Sequence, residues 1–182
     1  SGGRINRDKP LTFTYDDVSY RGYEGDTLAS ALLANGKRVI GRGFKYHRPR
    51  GVLSAGIEEC NALVRLETGG FAEPNARATV VPLYEGLIAK SQNCWPSVNW
   101  DLYSLFGLFA RFLPAGFYNK TFIWPSWHFW EGLIRQSAGI GTVPEVPDPQ
   151  QYHKRHAHCD VLVVGAGPAG IMATLEAAQS GA

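Results

Sequence analysis

The residues that most restrict the fold of this chain lie near its end, from Cys159 to Gly170. Val161–Val164 are β-branched or aliphatic, which is typical of a strand buried on both faces, and an apolar helical pattern follows at 171–178. Between the two, glycines recur with the spacing G-x-G-x-x-G. A strand, a tight turn and a helix start predict the first β-α unit of a Rossmann-type α/β domain.

The glycines of this turn each have a physical role. Gly165 lets the chain leave the strand sharply, Gly167 lets a pyrophosphate approach the backbone, and Gly170 allows close helix–strand packing. Phosphates bind at the free N–H groups and positive dipole of a helix N-terminus. We therefore expect a cofactor-binding site made by Gly165, Ala166, Gly167, Pro168, Ala169 and Gly170. The alternative is a structural turn without a ligand.

The sequence ends at Ala182, before the second strand of such a domain. That strand carries the acid that binds a ribose hydroxyl, about 20 residues after the turn. We therefore expect this chain to be an N-terminal fragment of a larger polypeptide, inactive alone. The turn by itself does not distinguish NAD from FAD.

Composition indicates a globular protein, since 45% of the 182 residues are hydrophobic and 19% are charged. The net charge of +2 is too small to indicate a nucleic-acid partner. The sequence contains no run of about 18 apolar residues and no signal-peptide pattern, so we expect a cytoplasmic protein without a membrane partner. Three widely spaced cysteines indicate neither a disulfide framework nor a metal site.

The N-terminal part of the sequence predicts a ferredoxin-like β-grasp domain over residues 1–82. Two β-rich runs at 11–15 and 18–23 predict a hairpin, and a helix is predicted over 28–34. Asp26 or Thr27 is suited to cap this helix, and Gly36 to end it. Short strands are expected at 38–40 and 61–67, joined by a long loop, and a β-like run at 78–82.

The long loop is where ferredoxins of this type hold a [2Fe–2S] cluster, with three of four thiolates spaced C-x4-C-x2-C. The corresponding positions here are Ser54, Glu59 and Ala62, and only Cys60 lies nearby. One thiolate cannot hold the cluster. The sequence therefore predicts a domain without an iron–sulfur cluster, and Cys60 receives no role.

The loop is also basic, with aromatic residues Phe44 and Tyr46 among its cations. A solvated face and a single-stranded nucleic-acid site are two alternatives. A contact with a partner domain or an anionic cofactor is favoured, because Arg and aromatic residues are enriched at such contacts. The cations are Arg38, Arg42, Lys45, His47, Arg48 and Arg50.

A second region, 83–150, is rich in aromatic residues and ends in a Pro-rich linker at 142–150. Prolines at 96, 114 and 125 predict short helices and turns, which we expect to pack on missing parts of the polypeptide. His128 is expected to pack or to contact a partner.

The third region, 151–182, begins with His153, His156 and His158, which lack the carboxylate or thiol that would complete a metal site. Cys159 is expected to be a buried apolar residue. The overall fold class is thus α+β: a β-grasp domain, an aromatic segment, and the start of a Rossmann-type domain.

Four motifs together resemble the α-subunit family of bacterial heterotetrameric sarcosine oxidases. They are GDTLASALLANG at 25–36, FKYHRPRG at 44–51, PAGFY with KTF at 114–122, and HCDVLVVGAGPAG at 158–170. The resemblance spans nearly the whole chain, and the middle two motifs are far more specific than the glycine turn.

The resemblance implies a β-grasp domain that has lost its cluster, followed by the start of an NAD domain. It also implies an enzyme that demethylates sarcosine with O2 and tetrahydrofolate, giving glycine, H2O2 and 5,10-methylenetetrahydrofolate. FAD and FMN lie on the β subunit or are shared with it, and the partners are the rest of α with the β, γ and δ subunits. None of the family's catalytic residues falls within 1–182.

Two other functions stay open. One is a [2Fe–2S] electron-transfer subunit of an opine- or cyanide-forming dehydrogenase, which the missing ligands disfavour. The other is a non-catalytic interaction module, in which the turn is structural and the aromatic segment docks a partner.

Overall fold

A computed structural model describes residues 3–43, 45–68, 70–112, 116, 122–138, 144, 146–148 and 151–181. The chain forms two compact units, residues 1–148 and 149–182. The domain boundaries predicted at 82 and 150 stay predictions.

The described residues of the first unit form seven strands, one 3-10 helix and two α-helices. The strands are β1 (Asn6–Tyr15), β2 (Val18–Glu24), β3 (Gly41–Arg42), β4 (Pro49–Arg50), β5 (Leu63–Thr68), β6 (Phe71–Arg77) and β7 (Ile88–Ser91). The helices are α1 (Leu28–Ala34), the 3-10 helix (Leu102–Phe112) and α2 (Trp127–Ala138).

Five strands form one sheet in the order β2-β1-β7-β5-β6, and β3 pairs with β4 separately. The predicted hairpin is present: β1 and β2 are antiparallel, and both turn residues, Asp16 and Asp17, have positive φ. Such mirror-image turns match the twist of hairpin strands. The described part of the molecule is thus a mixed α+β fold with the hairpin, helix and returning strands of a β-grasp.

Three of the observed strands were not predicted from the sequence: β4, β6 and β7. β6 contains Pro74 and lies at the edge of the sheet, where a proline removes no central hydrogen bond. β7 lies between β1 and β5, parallel to the first and antiparallel to the second. The short strand expected at 38–40 is instead Gly41–Arg42, and the β-like run at 78–82 is mostly a turn.

Helix α1 begins and ends as predicted. Thr27 is the N-cap, since its hydroxyl accepts the Ser30 N–H at 3.2 Å and the Ser30 hydroxyl accepts the Thr27 N–H at 2.9 Å. At the other end Gly36 has φ +77°, and its N–H donates to the Leu33 carbonyl. This left-handed residue satisfies carbonyls that the last turn would leave free.

The core lies between α1 and the sheet. Leu28, Ala31 and Leu32 of the helix are fully buried against sheet residues. Those sheet residues include Phe13, Tyr15, Val64, Leu87 and Ala89. Leu33, on the opposite face, is 45% exposed.

The second unit contains the 13-residue helix α3 (Pro168–Ser180). The residues expected to form its strand, 161–164, adopt no strand. A strand needs a neighbour to satisfy its backbone, and the described residues of this unit supply none. No helix in the described ranges is long and apolar enough to cross a membrane.

Replacing Leu32 with alanine should lower the free energy of unfolding of this chain by about 3 kcal/mol, because it leaves a cavity beneath the sheet. Leu33→Ala is the matched control in the same helix and should change it by less than about 0.5 kcal/mol. Urea denaturation monitored by circular dichroism measures both. Equal losses would contradict the described burial.

Candidate functional site

The predicted cofactor turn, Gly165–Gly170, lies in the second unit and leads into α3. Gly165 has φ +109°, a conformation that side chains rarely permit. Gly167 is the N-cap of α3 and Pro168 is its first residue. The Ile171 N–H donates to the Gly167 carbonyl at 2.9 Å, so the turn closes directly onto the helix.

Gly170 and Gly167 differ sharply in their surroundings. A Cβ at position 170 would lie 2.0 Å from the Gly165 carbonyl oxygen, so only glycine fits there. A Cβ at Gly167 would meet nothing within 4 Å. The close approach predicted for Gly170 therefore involves the turn's own backbone, while the space at Gly167 is open to a ligand.

A shallow cavity of about 380 Å³ adjoins this turn. Its lining includes Gly165, Ala166 and Gly170 of the turn, and Ile171 and Leu175 of α3. The Thr174 hydroxyl donates a hydrogen bond to the Gly170 carbonyl of the same helix at 2.9 Å. The arrangement offers backbone N–H groups and apolar walls, and no acid or base.

The neighbours of the turn are exposed. Leu162 and Val164 are 77% and 89% exposed, which differs from the buried strand that the sequence predicts. Cys159 is also exposed rather than buried. His153, His156 and His158 are exposed, and so is His128 of α2. None of these side chains is brought to the glycine turn by a described contact.

The basic loop of the first unit is held by hydrogen bonds to residues 93–103. The Arg42 guanidinium donates to three carbonyls, those of His47 (3.0 Å), Val98 (2.7 Å) and Asn99 (3.1 Å). The backbone of Arg42 is also held, because the Asn93 side-chain amide donates to the Arg42 carbonyl at 2.9 Å. Arg42 is therefore engaged within the fold, and this cation of the loop has a structural role.

His47 and Asp101 form a buried pair beneath the same loop. His47 Nδ1 lies 2.8 Å from Asp101 Oδ2, and the two side chains are 1% and 0% exposed. The other carboxylate oxygen accepts the N–H groups of Trp95 (3.0 Å) and Tyr103 (3.1 Å). A buried pair needs such additional hydrogen bonds to offset its lost hydration. Asp101 was not predicted from the sequence, because no motif connects positions 54 residues apart.

The remaining cations of the loop lie further out. Lys45 Nζ and Arg48 Cζ lie 4.8 and 5.0 Å from the centre of the Tyr46 ring, which is a cation–π arrangement. Arg48 and Arg50 are exposed. Of the cations predicted to contact a partner or an anionic cofactor, Arg38, Arg48 and Arg50 are the exposed ones, and that contact stays a prediction.

Glu59 is the residue around which the long loop between β4 and β5 is ordered. It is 1% exposed, and its carboxylate accepts four backbone N–H groups. One oxygen bonds Leu53 (2.7 Å) and Ser54 (2.9 Å), and the other bonds Asn61 (2.6 Å) and Ala62 (3.0 Å). The carboxylate therefore joins both ends of the loop.

The protonation of Glu59 follows from this geometry. Burial disfavours the carboxylate, but the four N–H donors favour it, and the balance holds the pKa of Glu59 below its usual value. The loop therefore contains a buried anion at neutral pH. From the sequence, Glu59 was identified only as a ligand position that lacks a thiol.

The cysteines do not form a cluster. Cys60 is exposed, with Sγ 3.9 Å from Asn61 Oδ1. Cys94 is partly buried, 3.3 Å from the Ser91 hydroxyl, and burial raises the pKa of its thiol. Throughout the described ranges, no group of three or more His, Cys, Asp or Glu side chains could hold a metal ion.

A family match identifies the class of the first unit. Residues 8–94 match the family described as 2Fe-2S iron-sulfur cluster binding domain. The first unit therefore contains a ferredoxin-type domain, as the β-strands and helix predict.

Particular relatives extend the match along the whole chain. Sarcosine oxidase subunit alpha of Rhizobium meliloti (strain 1021) is 56% identical over 183 residues, which is 99% of this chain and 18% of that protein. The subunit of the same name from Corynebacterium sp. (strain U-96) is 36% identical over 185 residues, 100% of this chain and 14% of that protein. The expected resemblance to an N-terminal part of this subunit is confirmed. The chain spans less than a fifth of these relatives' length.

Among solved structures, the L-proline dehydrogenase of P. horikoshii is 22% identical, with a TM-score of 0.37. The match covers 48% of this chain and 16% of that one. A TM-score this low does not establish a shared fold or function.

The expectation of a cofactor set without an iron–sulfur cluster is wrong, because the family match points to an iron–sulfur cofactor. The residues of the described loop do not fit such a cluster: Cys60 is its single thiol, and the loop's N–H groups bond Glu59. The number of thiols in one chain does not reveal membership of a domain family. No step is derived through a cluster.

Replacing Glu59 with glutamine should lower the free energy of unfolding by about 2–4 kcal/mol at pH 7, because the amide NH2 faces two N–H donors. Urea denaturation between pH 3 and 8 measures this. Since the folded pKa is lowered, the contribution is complete above the unfolded value of about 4.3 and is lost as the pH falls through the folded pKa. The difference between wild type and variant should therefore shrink below about pH 4.

Glu58→Gln is the control for Glu59→Gln, since Glu58 is the exposed neighbour. It should change the free energy of unfolding by less than about 0.5 kcal/mol and leave the pH profile unaltered. Parallel pH profiles for wild type and Glu59→Gln would contradict the role of the carboxylate.

Proposed function

We propose that this chain is the N-terminal part of the α subunit of a multisubunit sarcosine oxidase. The observation that carries the proposal is the 56% identity to such a subunit over 99% of the chain. The proposed reaction is oxidative demethylation of sarcosine to glycine by O2, with tetrahydrofolate accepting the methyl carbon as 5,10-methylenetetrahydrofolate and H2O2 as the other product. The proposed partners are the rest of α and the β, γ and δ subunits.

Within that enzyme, we assign to this chain binding and assembly rather than chemistry. None of the described side chains at the glycine turn is an acid, a base or a nucleophile placed to react. The turn supplies free N–H groups at the N-terminus of α3 and open space at Gly167, which suit a pyrophosphate. Gly165–Gly170 is therefore proposed as the phosphate-binding turn of a dinucleotide site whose remaining walls come from outside this chain.

The reaction is tested on the complete enzyme. The full-length subunit, purified with its partner subunits, should consume O2 and form H2O2 when sarcosine is added, and formaldehyde should accumulate when tetrahydrofolate is omitted. Glycine as the added amine is the control, because it has no N-methyl group. Equal rates with sarcosine and glycine would reject the proposed substrate.

The turn is tested with two alanine variants of the full-length subunit, using NAD⁺ as the probe. Gly167→Ala should preserve the turn but weaken binding roughly tenfold, about 1.4 kcal/mol, because its methyl group enters the open space. Gly170→Ala should abolish binding, because its Cβ collides with the Gly165 carbonyl. Isothermal titration calorimetry measures both.

Gly132→Ala in α2 is the control for these variants, since a Cβ there also meets nothing within 4 Å. It should bind NAD⁺ like the wild type. Unchanged affinity in Gly167→Ala and Gly170→Ala would indicate that the turn is only structural. It would favour the alternative of a non-catalytic interaction module.

A second candidate, an electron carrier, is favoured by the match of residues 8–94 to a 2Fe-2S family. It predicts about two irons and two acid-labile sulfides per subunit, and an electron paramagnetic resonance signal after reduction. Their absence from the freshly purified full-length protein would reject this candidate.

A further inference from the structure

The charge of Glu59 is held by backbone groups and not by a cation. Its carboxylate accepts four N–H groups, two on each oxygen. Among the residues that the structure describes, no Lys, Arg or His side chain forms an ion pair with this carboxylate. The Arg77 guanidinium donates instead to the Glu59 carbonyl, at 3.1 Å. Backbone dipoles therefore stabilise the anion, as they do in the concave anion sites that successive N–H groups form in other proteins.

The donors are arranged for a group with two oxygens. Leu53 and Ser54 are consecutive and bond one oxygen, while Asn61 and Ala62 are consecutive and bond the other. All four N···O distances lie between 2.6 and 3.0 Å. A carboxylate carries two acceptor oxygens on one carbon, so it serves both pairs of donors at once. The arrangement therefore favours a small carboxylate over a single-atom anion.

The loop is also attached to the rest of the fold by contacts that do not use the carboxylate. The hydroxyl of Thr79, a residue that is 5% exposed, donates to the Gly56 carbonyl at 2.7 Å. The Ala78 N–H donates to the Ala62 carbonyl at 2.9 Å. Together with the bond from Arg77, these contacts hold the middle and the end of the loop. The donor groups should therefore stay close to their positions when the carboxylate is removed.

One polar group of the loop is not satisfied by Glu59. Ser54 Oγ is buried and has no hydrogen-bond partner within the described ranges. Buried hydroxyls are normally paired, because an unpaired one costs free energy. The N–H of the same residue bonds the Glu59 carboxylate, so the unpaired hydroxyl belongs to a residue of this site.

The three positions that correspond to thiolate ligands meet at this carboxylate. They are Ser54, Glu59 and Ala62, within the residues that match the 2Fe-2S cluster binding domain. Clusters of this kind are anionic and accept hydrogen bonds at their sulfurs. In this chain, the N–H groups of Ser54 and Ala62 both bond the side chain at the third position, Glu59. The loop therefore converges on one place, and a carboxylate lies there.

We propose that the N–H groups of Leu53, Ser54, Asn61 and Ala62 form a carboxylate-binding site, and that Glu59 is its built-in occupant. The side chain belongs to the same loop, so its effective concentration is high and it excludes free anions from the wild type. Without it, a free carboxylate should bind the same donors. Formate is the smallest carboxylate and is the probe. This inference does not depend on the proposed reaction or on the glycine turn.

Hydrogen–deuterium exchange of the full-length α subunit, measured by mass spectrometry on the peptide that contains residues 53–62, reports the opening of the loop. In Glu59→Ala this peptide should exchange faster than in the wild type, and potassium formate should slow the exchange again. A ligand that binds only the closed loop divides the open fraction by one plus the ratio of its concentration to its dissociation constant. At ten times the dissociation constant, exchange should therefore fall about elevenfold.

The controls separate the site from general effects of salt and charge. Potassium chloride at the same ionic strength should not replace formate, because a single atom cannot place an oxygen before each pair of donors. Glu58→Ala changes the exposed neighbour and should exchange like the wild type, with or without formate. Glu59→Gln should exchange faster than the wild type but should not respond to formate, because its amide fills the space.

Glu59→Asp keeps the test decisive if the alanine variant does not fold. This variant conserves the charge and shortens the side chain by one methylene group. Its loop peptide should exchange roughly tenfold more slowly than that of Glu59→Gln, because hydrogen bonds to a charged acceptor are stronger than those to a neutral one.

Three results would overturn the proposal. One is exchange in a folded Glu59→Ala subunit that formate does not slow. Another is an equal effect of chloride and formate, which would show that the donors do not select a carboxylate. The last is equal exchange in Glu59→Asp and Glu59→Gln, which would mean that the loop does not require an anion.

Discussion

The carboxylate of Glu59 is the interaction on which the long loop of the first unit depends. Four N–H groups from both ends of the loop converge on one buried side chain. The same segment then contacts the sheet side of the fold, because the Glu59 carbonyl accepts from Arg77 and the Gly56 carbonyl accepts from Thr79. Without the anion, these buried and partly buried N–H groups would lose their hydrogen-bond acceptor. A loop that lacks regular secondary structure is thereby ordered by one charge.

The parts of the fold that the sequence predicted are those encoded locally. Helix α1 follows from an apolar face bounded by Thr27 and Gly36, and the first hairpin from alternation around two aspartates. β7 was missed because its four residues, Ile88–Ser91, are too short for a periodic pattern, and its position depends on pairing with distant strands. Glu59 was missed for a related reason: its partners are backbone N–H groups, which leave no signature in the side chains.

In the candidate site, too, the local features were predicted from the sequence and the contacts between distant residues were not. The glycine turn was located from its spacing, and Gly170 is indeed a position where a side chain would collide with the backbone. The basic loop, in contrast, was interpreted as one surface, although Arg42 and His47 are hydrogen-bonded inside the fold and Arg48 lies outside. The charge pattern of a sequence does not reveal which cationic side chains form hydrogen bonds with carbonyls and buried carboxylates inside the fold. A ligand count in one chain likewise did not reveal the iron–sulfur domain family.

The central place of β7 has a consequence for how the protein is made on the ribosome. β1 ends at Tyr15, but its second neighbour in the sheet begins at Ile88, and the hydrogen bond from the Ser91 N–H to Asp16 spans 75 residues. The first hairpin is complete at Glu24, so at synthesis rates of about 5–20 residues per second it emerges roughly 3–13 seconds before that neighbour. During this interval one edge of β1 has no strand partner. This edge is a place where strands of other molecules can pair with the nascent chain until β7 is added.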